Sequence, residues 1–273
     1  MAYRPIGLFD SGVGGLSVFS QLQRQLPRED LIYFADTLHM PYGPRSPKRL
    51  REFVFAILRF LQQHEVKLVI MACNTSSAVV LDEAQVEFSL PIIGMIKPVA
   101  HMLANKQVAR LGVMATRATV ESGTYQKELR KAGFVGELYC QACPELATVV
   151  EIGSGADRLA TVLKEYTAPL RRARVEQVLL GCTHYPFVGQ AISDALGGGV
   201  MLLDPATYVV AEVKQFLADR GMLRTEVTGD QHVAYVSGDA KSFAHRAGQL
   251  LRQQVRVLPV TFAAEQSSYH EIS

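Results

Sequence analysis

Two short segments of the chain mirror each other: Met71-Ala72-Cys73-Asn74-Thr75 and Leu180-Gly181-Cys182-Thr183-His184. Each sets a cysteine and a threonine just past an apolar run, residues 66–71 in the first (broken only by Lys67) and 178–180 in the second. Such a run, ending in small polar residues, reads as a buried parallel strand that delivers its last residues to a helix start. Ligands bind at the carboxyl ends of such strands. The helix start beyond offers unpaired N–H groups and a positive dipole end, both of which favour thiolate over thiol. A lone cysteine there is most often a small buried hydrophobe. Two in matched contexts predict a two-sided site. The simplest chemistry needing two equivalent thiols on opposite faces of a substrate is stereochemical inversion at a carbon.

An unperturbed thiol ionises near pH 8.5, so little thiolate exists at neutral pH without help. His184, two residues from Cys182, can raise the thiolate fraction or relay a proton. Glu151, after the apolar residues 147–150, could contact His184 or Cys182. Thr75 and Thr183 can hold a carboxylate with the helix-start amides. The run Asp10-Ser11-Gly12-Val13-Gly14-Gly15 lacks the G-x-G-x-x-G spacing of a dinucleotide loop. It reads either as a strand-to-helix turn needing glycine's backbone freedom or as a loop that points Asp10 and Ser11 into a cleft. There Asp10 could bind an ammonium or polarise the Cys73 thiol. Asp36-Thr37 and Pro41-Tyr42-Gly43-Pro44 read as a strand end and a stiff turn. Cys140 and Cys143 have no second pair to complete a zinc site and read as structural.

These residues need strands to carry them. Apolar runs over 4–9, 31–35, 68–72 and 91–96 alternate with amphipathic stretches over 15–26, 47–64 and 75–86. A second set begins beyond them, with strands at 111–114, 137–139, 178–180 and 200–203. Its helices fall at 120–132, 157–168 and 187–196. Alternation of this kind predicts parallel sheets with right-handed crossovers. Gly7-Leu8-Phe9-Asp10-Ser11 opens the first set and Gly112-Val113-Met114-Ala115-Thr116 the second. The interval from Ser11 to Cys73 nearly equals that from Thr116 to Cys182, as a diverged duplication would give. Helices over 208–220 and 241–253 and a strand over 232–237 are expected to rejoin the first sheet. The expected domains are therefore 1–97 with 208–262, and 98–207. Residues 263–273 are expected to form a polar, mobile tail.

The 273 residues are 48% hydrophobic and 20% charged, with a formal net charge of +2. That composition fits a globular protein with a sizeable core and argues against a dedicated nucleic-acid binder. No run is long enough to span a bilayer, and no signal peptide is expected. Four cysteines in a chain this long do not make a disulfide framework. A cytoplasmic enzyme with reduced thiols is expected.

Taken together, these motifs resemble the glutamate racemases of the cofactor-independent aspartate/glutamate racemase superfamily. The resemblance runs from Ile6 to about Leu251. It rests on residues 9–18, Asp36-Thr37 with Pro41-Tyr42-Gly43, Cys73-Asn74-Thr75, Ala115-Thr116, Ala142-Cys143-Pro144 with Glu151, and residues 181–186. It implies two parallel-sheet α/β domains related by a pseudo-twofold, with glutamate in the cleft between them. Cys73 would act on D-glutamate and Cys182 on L-glutamate, assisted by Asp10 and His184 respectively, with Glu151 supporting His184. Asp10, Ser11, Tyr42, Gly43, Asn74, Thr75, Thr116, Thr183 and His184 would bind substrate. The role implied is supply of D-glutamate for peptidoglycan, without pyridoxal phosphate or metal, by a homodimer. The short N-terminus predicts no activation by a cell-wall precursor. Departures are small: Ser76-Ser77 stands where alanine is common, and Ala115 where glycine is common. Racemisation of aspartate or another amino acid is the alternative on this scaffold, although His184 favours glutamate. A non-catalytic amino-acid-binding redox sensor is the alternative from another class.

Overall fold

In a computed structural model, residues 1–104, 106–226, 232–263 and 268–271 are described. Eleven strands occur among them: β1 Ile6–Asp10, β2 Leu31–Ala35, β3 Leu68–Met71, β4 Ile92–Gly94, β5 Arg110–Ala115, β6 Glu137–Ala142, β7 Gln177–Gly181, β8 Met201–Leu203, β9 His232–Val236, β10 Arg256–Ala263 and β11 Ser268–Glu271. They form two sheets. One has the order β11-β10-β9-β2-β1-β3-β4, the other β6-β5-β7-β8. The run β2-β1-β3-β4 therefore recurs as β6-β5-β7-β8. Every pairing within these two runs is parallel. Central β1 and β5 are counterparts, as are β3 and β7, the strands that lead to Cys73 and Cys182.

The apolar runs explain the elements. Residues of β1, β2 and β3 are all buried, as strands covered on both faces must be. The helix Pro47–Gln63 starts on Ser46, whose side chain accepts from the Arg49 N–H, and buries Phe53, Ile57 and Phe60. The helix Pro205–Asp219 starts on Asp204 and inserts Val209, Val213 and Leu217 into the core beside β1 and β2. No helix of the described residues is long and apolar enough to cross a membrane.

Several expectations are corrected. The helix over 75–86 is two, Asn74–Val79 and Leu81–Glu87, and that over 120–132 is also two, parted at Gly123 with φ +66°. The helix over 187–196 begins only at Gly189, after a 3-10 turn at Tyr185–Val188. Two helices are not among those expected from the sequence: Ile96–Ala104, which buries Ile96, Val99, Ala100 and Leu103 at helical spacing, and Leu146–Ile152, which is too short to show clear periodicity. β10 is masked there by Pro259, which sits within a strand paired on both sides. The end of the chain is not a loose tail where it is described. β11 pairs antiparallel with β10 and buries Tyr269. Residues 264–267 and 272–273 of the expected tail lie outside the described residues.

Candidate active site

The carboxyl ends of β1, β3, β5 and β7 converge on one cleft of about 810 Å³. Ser11, Tyr42, Gly43, Cys73, Asn74 and Thr75 line it from the first sheet's side, and Thr116, Cys182, Thr183 and His184 from the second. Both thiols are free, and each is 6% exposed. Their surroundings differ. Cys73 stands at the N-terminus of the short helix Asn74–Val79. Burial, and next the negative charge of Asp10, push its thiol up to about 12, against weaker help from Ser76. At neutral pH Cys73 is therefore a thiol, an acid ready to donate. Cys182 leads into the 3-10 turn rather than an α-helix, so the expected helix-end charge is missing there. His184 replaces it: its Nδ1 lies 3.6 Å from the Cys182 sulfur.

The opposite nitrogen of His184, Nε2, lies 2.5 Å from Glu151 Oε2. Burial disfavours the imidazolium, but Cys182 and Glu151 outweigh it and hold His184 well above its usual value. Both Glu151 oxygens also accept from the Val13 N–H, at 3.2 and 3.1 Å. Glu151, on the helix Leu146–Ile152, thus joins the histidine after β7 to the loop after β1. It touches the cleft only through His184.

Asp10 ends β1. It is fully buried and lies outside the cleft lining. Its oxygens accept from the Gly12 N–H at 3.1 Å and the Thr183 hydroxyl at 2.9 Å. It holds Thr183, and its charge acts on Cys73. Burial pushes the Asp10 carboxyl up, opposed by His184 and by its two donors. Tyr42 lines the cleft with its hydroxyl turned away, donating to Asp36 Oδ2 at 2.6 Å.

The glycine-rich loop corrects an expectation. None of Gly12, Gly14 and Gly15 has positive φ, so the turn needs no special backbone freedom. It needs empty space. A Cβ on Gly12 would stand 2.6 Å from a Glu151 oxygen, and one on Gly14 2.5 Å from both His184 Nδ1 and the Thr183 hydroxyl. The missing side chains are where the supports of Cys182 sit.

Across the cleft, the hydroxyls of Thr75 and Thr116 are 2.9 Å apart, and Thr119 completes the cluster. The Tyr125 hydroxyl donates to Asn74 Oδ1 at 2.7 Å. That fixes the amide and leaves Asn74 Nδ2 buried without a partner at the cleft wall, a donor ready for a ligand oxygen. Thr119, Tyr125 and Tyr33, which donates to the Gly12 carbonyl at 2.6 Å, are not visible as site residues in the sequence. Each sits in an ordinary apolar pattern, and only its hydroxyl partner marks it. Cys140 and Cys143 lie outside the cleft lining, and burial pushes both thiols up. No metal-ligating cluster occurs among the described residues.

The sequence profile of the Asp/Glu/Hydantoin racemase family matches residues 6–213. A glutamate racemase of Microcystis aeruginosa is 41% identical over 255 residues, which span 93% of this chain and 89% of that one. The chain belongs to the glutamate racemase family. Solved structures of the family agree. A glutamate racemase isoform from Bacillus anthracis superposes with a TM-score of 0.89 at 34% identity, covering 94% of this chain and 97% of that one. The enzyme from Francisella tularensis, solved in complex with D-glutamate, has a TM-score of 0.89 at 30% identity and covers 97% and 100%. In this racemase the two thiols, the donor wall and the His184–Glu151 support face one shared cleft.

Proposed function

We propose that this cleft interconverts L- and D-glutamate by a two-thiol 1,1-proton transfer. One observation carries the reading: two buried thiols on counterpart strands face a single cleft from its two sides. Cys73 rests as a thiol. Cys182 lies 3.6 Å from His184 Nδ1, within reach for proton exchange with the imidazole. L-glutamate would lose its α-proton to Cys182 and gain one from Cys73 on the opposite face. The roles reverse for D-glutamate. Asn74 Nδ2, Ser11 and the hydroxyls of Thr75 and Thr116 would hold the carboxylates, with the backbone of Tyr42, Gly43 and Thr183. Asp10 and Glu151 act behind Thr183 and His184 as positioning residues.

A carbanion beside a carboxylate is very unstable. Much of the barrier reduction of about 8–23 kcal/mol common among enzymes must come here from fixed donors and exclusion of water. The cleft supplies both: buried donors on two walls, and thiols that barely meet solvent. In deuterated water each enantiomer's product should carry deuterium at the α-carbon. Product that keeps its original hydrogen would refute the mechanism. A substrate panel followed by polarimetry separates glutamate from aspartate. The family resemblance supports a cytoplasmic homodimer supplying D-glutamate for peptidoglycan; sedimentation of the intact chain tests the dimer.

A further inference from the structure

The carboxylate of Asp36, just past β2, is fully buried. Its donors come from three separate parts of the chain. The Tyr42 hydroxyl donates to Oδ2 at 2.6 Å from the loop that lines the cleft. The Ser237 hydroxyl donates to Oδ1 at 2.8 Å from the end of β9. The Tyr269 hydroxyl donates to Oδ1 at 2.7 Å from β11. His39 Nδ1 lies 2.9 Å from Oδ1 and 3.1 Å from the Tyr269 hydroxyl. A buried carboxylate is tolerable only with such donors. The loop therefore cannot swing away without stripping Tyr42 from a buried charge.

The same loop carries Gly43 to the cleft. The Cβ position of Gly43 stands 3.5 Å from Thr116 Cβ on the opposite wall, so small loop movements change the width of the site there. β11 itself is held at its far end, where Glu271 accepts from the Tyr235 hydroxyl at 3.0 Å and lies 2.9 Å from His64 Nε2. The last described strand thus reaches the substrate loop through the shared Asp36 carboxylate and through His39, which lies 3.1 Å from the Tyr269 hydroxyl.

We infer that Tyr269 is a positioning residue for substrate: through Asp36 it sets the Tyr42–Gly43 loop against the cleft. The inference rests on the glutamate site proposed above. It assigns a role in binding to residues that do not touch the cleft and that look like a polar tail in the sequence. The loop contacts substrate in the ground and transition states alike, so loosening it should raise KM more than it lowers kcat.

The test is Tyr269→Phe in the full chain. It keeps the ring, which packs 4.7 Å from Phe34 and 5.0 Å from Phe262 between centroids, and removes only the donor. The expected result is a rise of about fivefold in both KM and the calorimetric Kd for D-glutamate, the size of one lost hydrogen bond, with kcat within about twofold. Tyr42→Phe acts on the same carboxylate, so the double variant should fall well short of the product of the two effects. Unchanged KM and Kd, a fall in kcat alone, or fully multiplicative effects would overturn the inference. Should Tyr269→Phe not fold, Ser237→Ala removes another donor and is judged by the same criteria. Wild-type protein that binds glutamate without α-proton exchange would refute the racemase reading while leaving Kd to judge this one. Wild-type protein that binds no glutamate overturns both.

Discussion

His184 Nδ1 lies 3.6 Å from the sulfur of Cys182, while its other nitrogen contacts Glu151 at 2.5 Å. The imidazole is thus fixed at both ends, and the residue that fixes it is itself held by the Val13 N–H in the loop after β1. Counterpart strands deliver the two thiols, but only one has a cation beside it.

Replacing His184 by Asn should lower kcat/KM by about 10²–10⁴, the range supplied by a positioned proton-transfer group. Steady-state assays in both directions check this. Because the enantiomers are equal in energy, kcat/KM must fall equally for both, which makes the two directions an internal control. A fall of less than about tenfold would remove His184 from the proton transfer.

The same variant has a stability signature. The folded state raises the pKa of His184, so its imidazolium is favoured by folding. That contribution is fully present below the unfolded value of about 6.5 and is lost as pH rises through the higher folded value. Urea titrations of wild type and His184→Asn should therefore differ most at acid pH, and converge above the folded value.

Cys73 should alkylate slowly at neutral pH. With the Cys73 thiol pushed up to about 12, its thiolate fraction should grow about tenfold per pH unit from 7 to 10. Iodoacetamide rates resolved by peptide mass spectrometry read this directly. A plateau for Cys73 below pH 9 would contradict the picture of a resting thiol. Replacing either thiol by Ala should cut racemisation by at least about 10³, with glutamate Kd changed only a few-fold.

Gly14→Ala should be far worse than Gly43→Ala. The first places a Cβ 2.5 Å from His184 Nδ1 and Thr183 Oγ1, the second in ordinary contact 3.5 Å from Thr116. A forced shift of the imidazole should cost about 10²-fold in kcat. Gly43→Ala should remain within a few-fold, as measured by parallel assays.

A separate prediction concerns stability alone. Lys67 is buried against Glu29 at 2.5 Å and also donates to the carbonyls of Ala2 and Met222 at 2.8 Å. Glu29→Ala would leave the ammonium without its counter-charge. The expected loss is about 3–5 kcal/mol, read from urea denaturation, with kcat unchanged in whatever protein remains folded.

Much of this protein is legible in its sequence. Apolar runs ending in small polar residues mark β1, β3, β5 and β7, because strands buried on both faces admit little but Val, Ile, Leu and Met. The paired Cys-x-Thr/His contexts predict two thiols at strand ends, since the turn after a strand is set by the residues next to it. Short helices such as Leu146–Ile152 leave little signal, because so few residues show scarcely two turns of periodicity. β11 leaves none: one buried tyrosine among polar residues makes no pattern, and its place depends on β10 being beside it.

The duplicated α/β plan, the two thiols and their nearest chain neighbours can all be read from the residues in order. They depend on local patterning, which acts within a strand and its turn. The contacts that make the two thiols differ form only when the chain is folded. Asp10 faces Thr183 and presses on Cys73 by charge; Glu151 spans from His184 to Val13; Gly12 and Gly14 vacate the space these supports fill. Protonation depends on burial and on charges brought from distant parts of the chain. No spacing along one segment encodes those distances, so the different neighbours of the two cysteines are readable in the sequence, and the burial and long-range contacts that act on each are not.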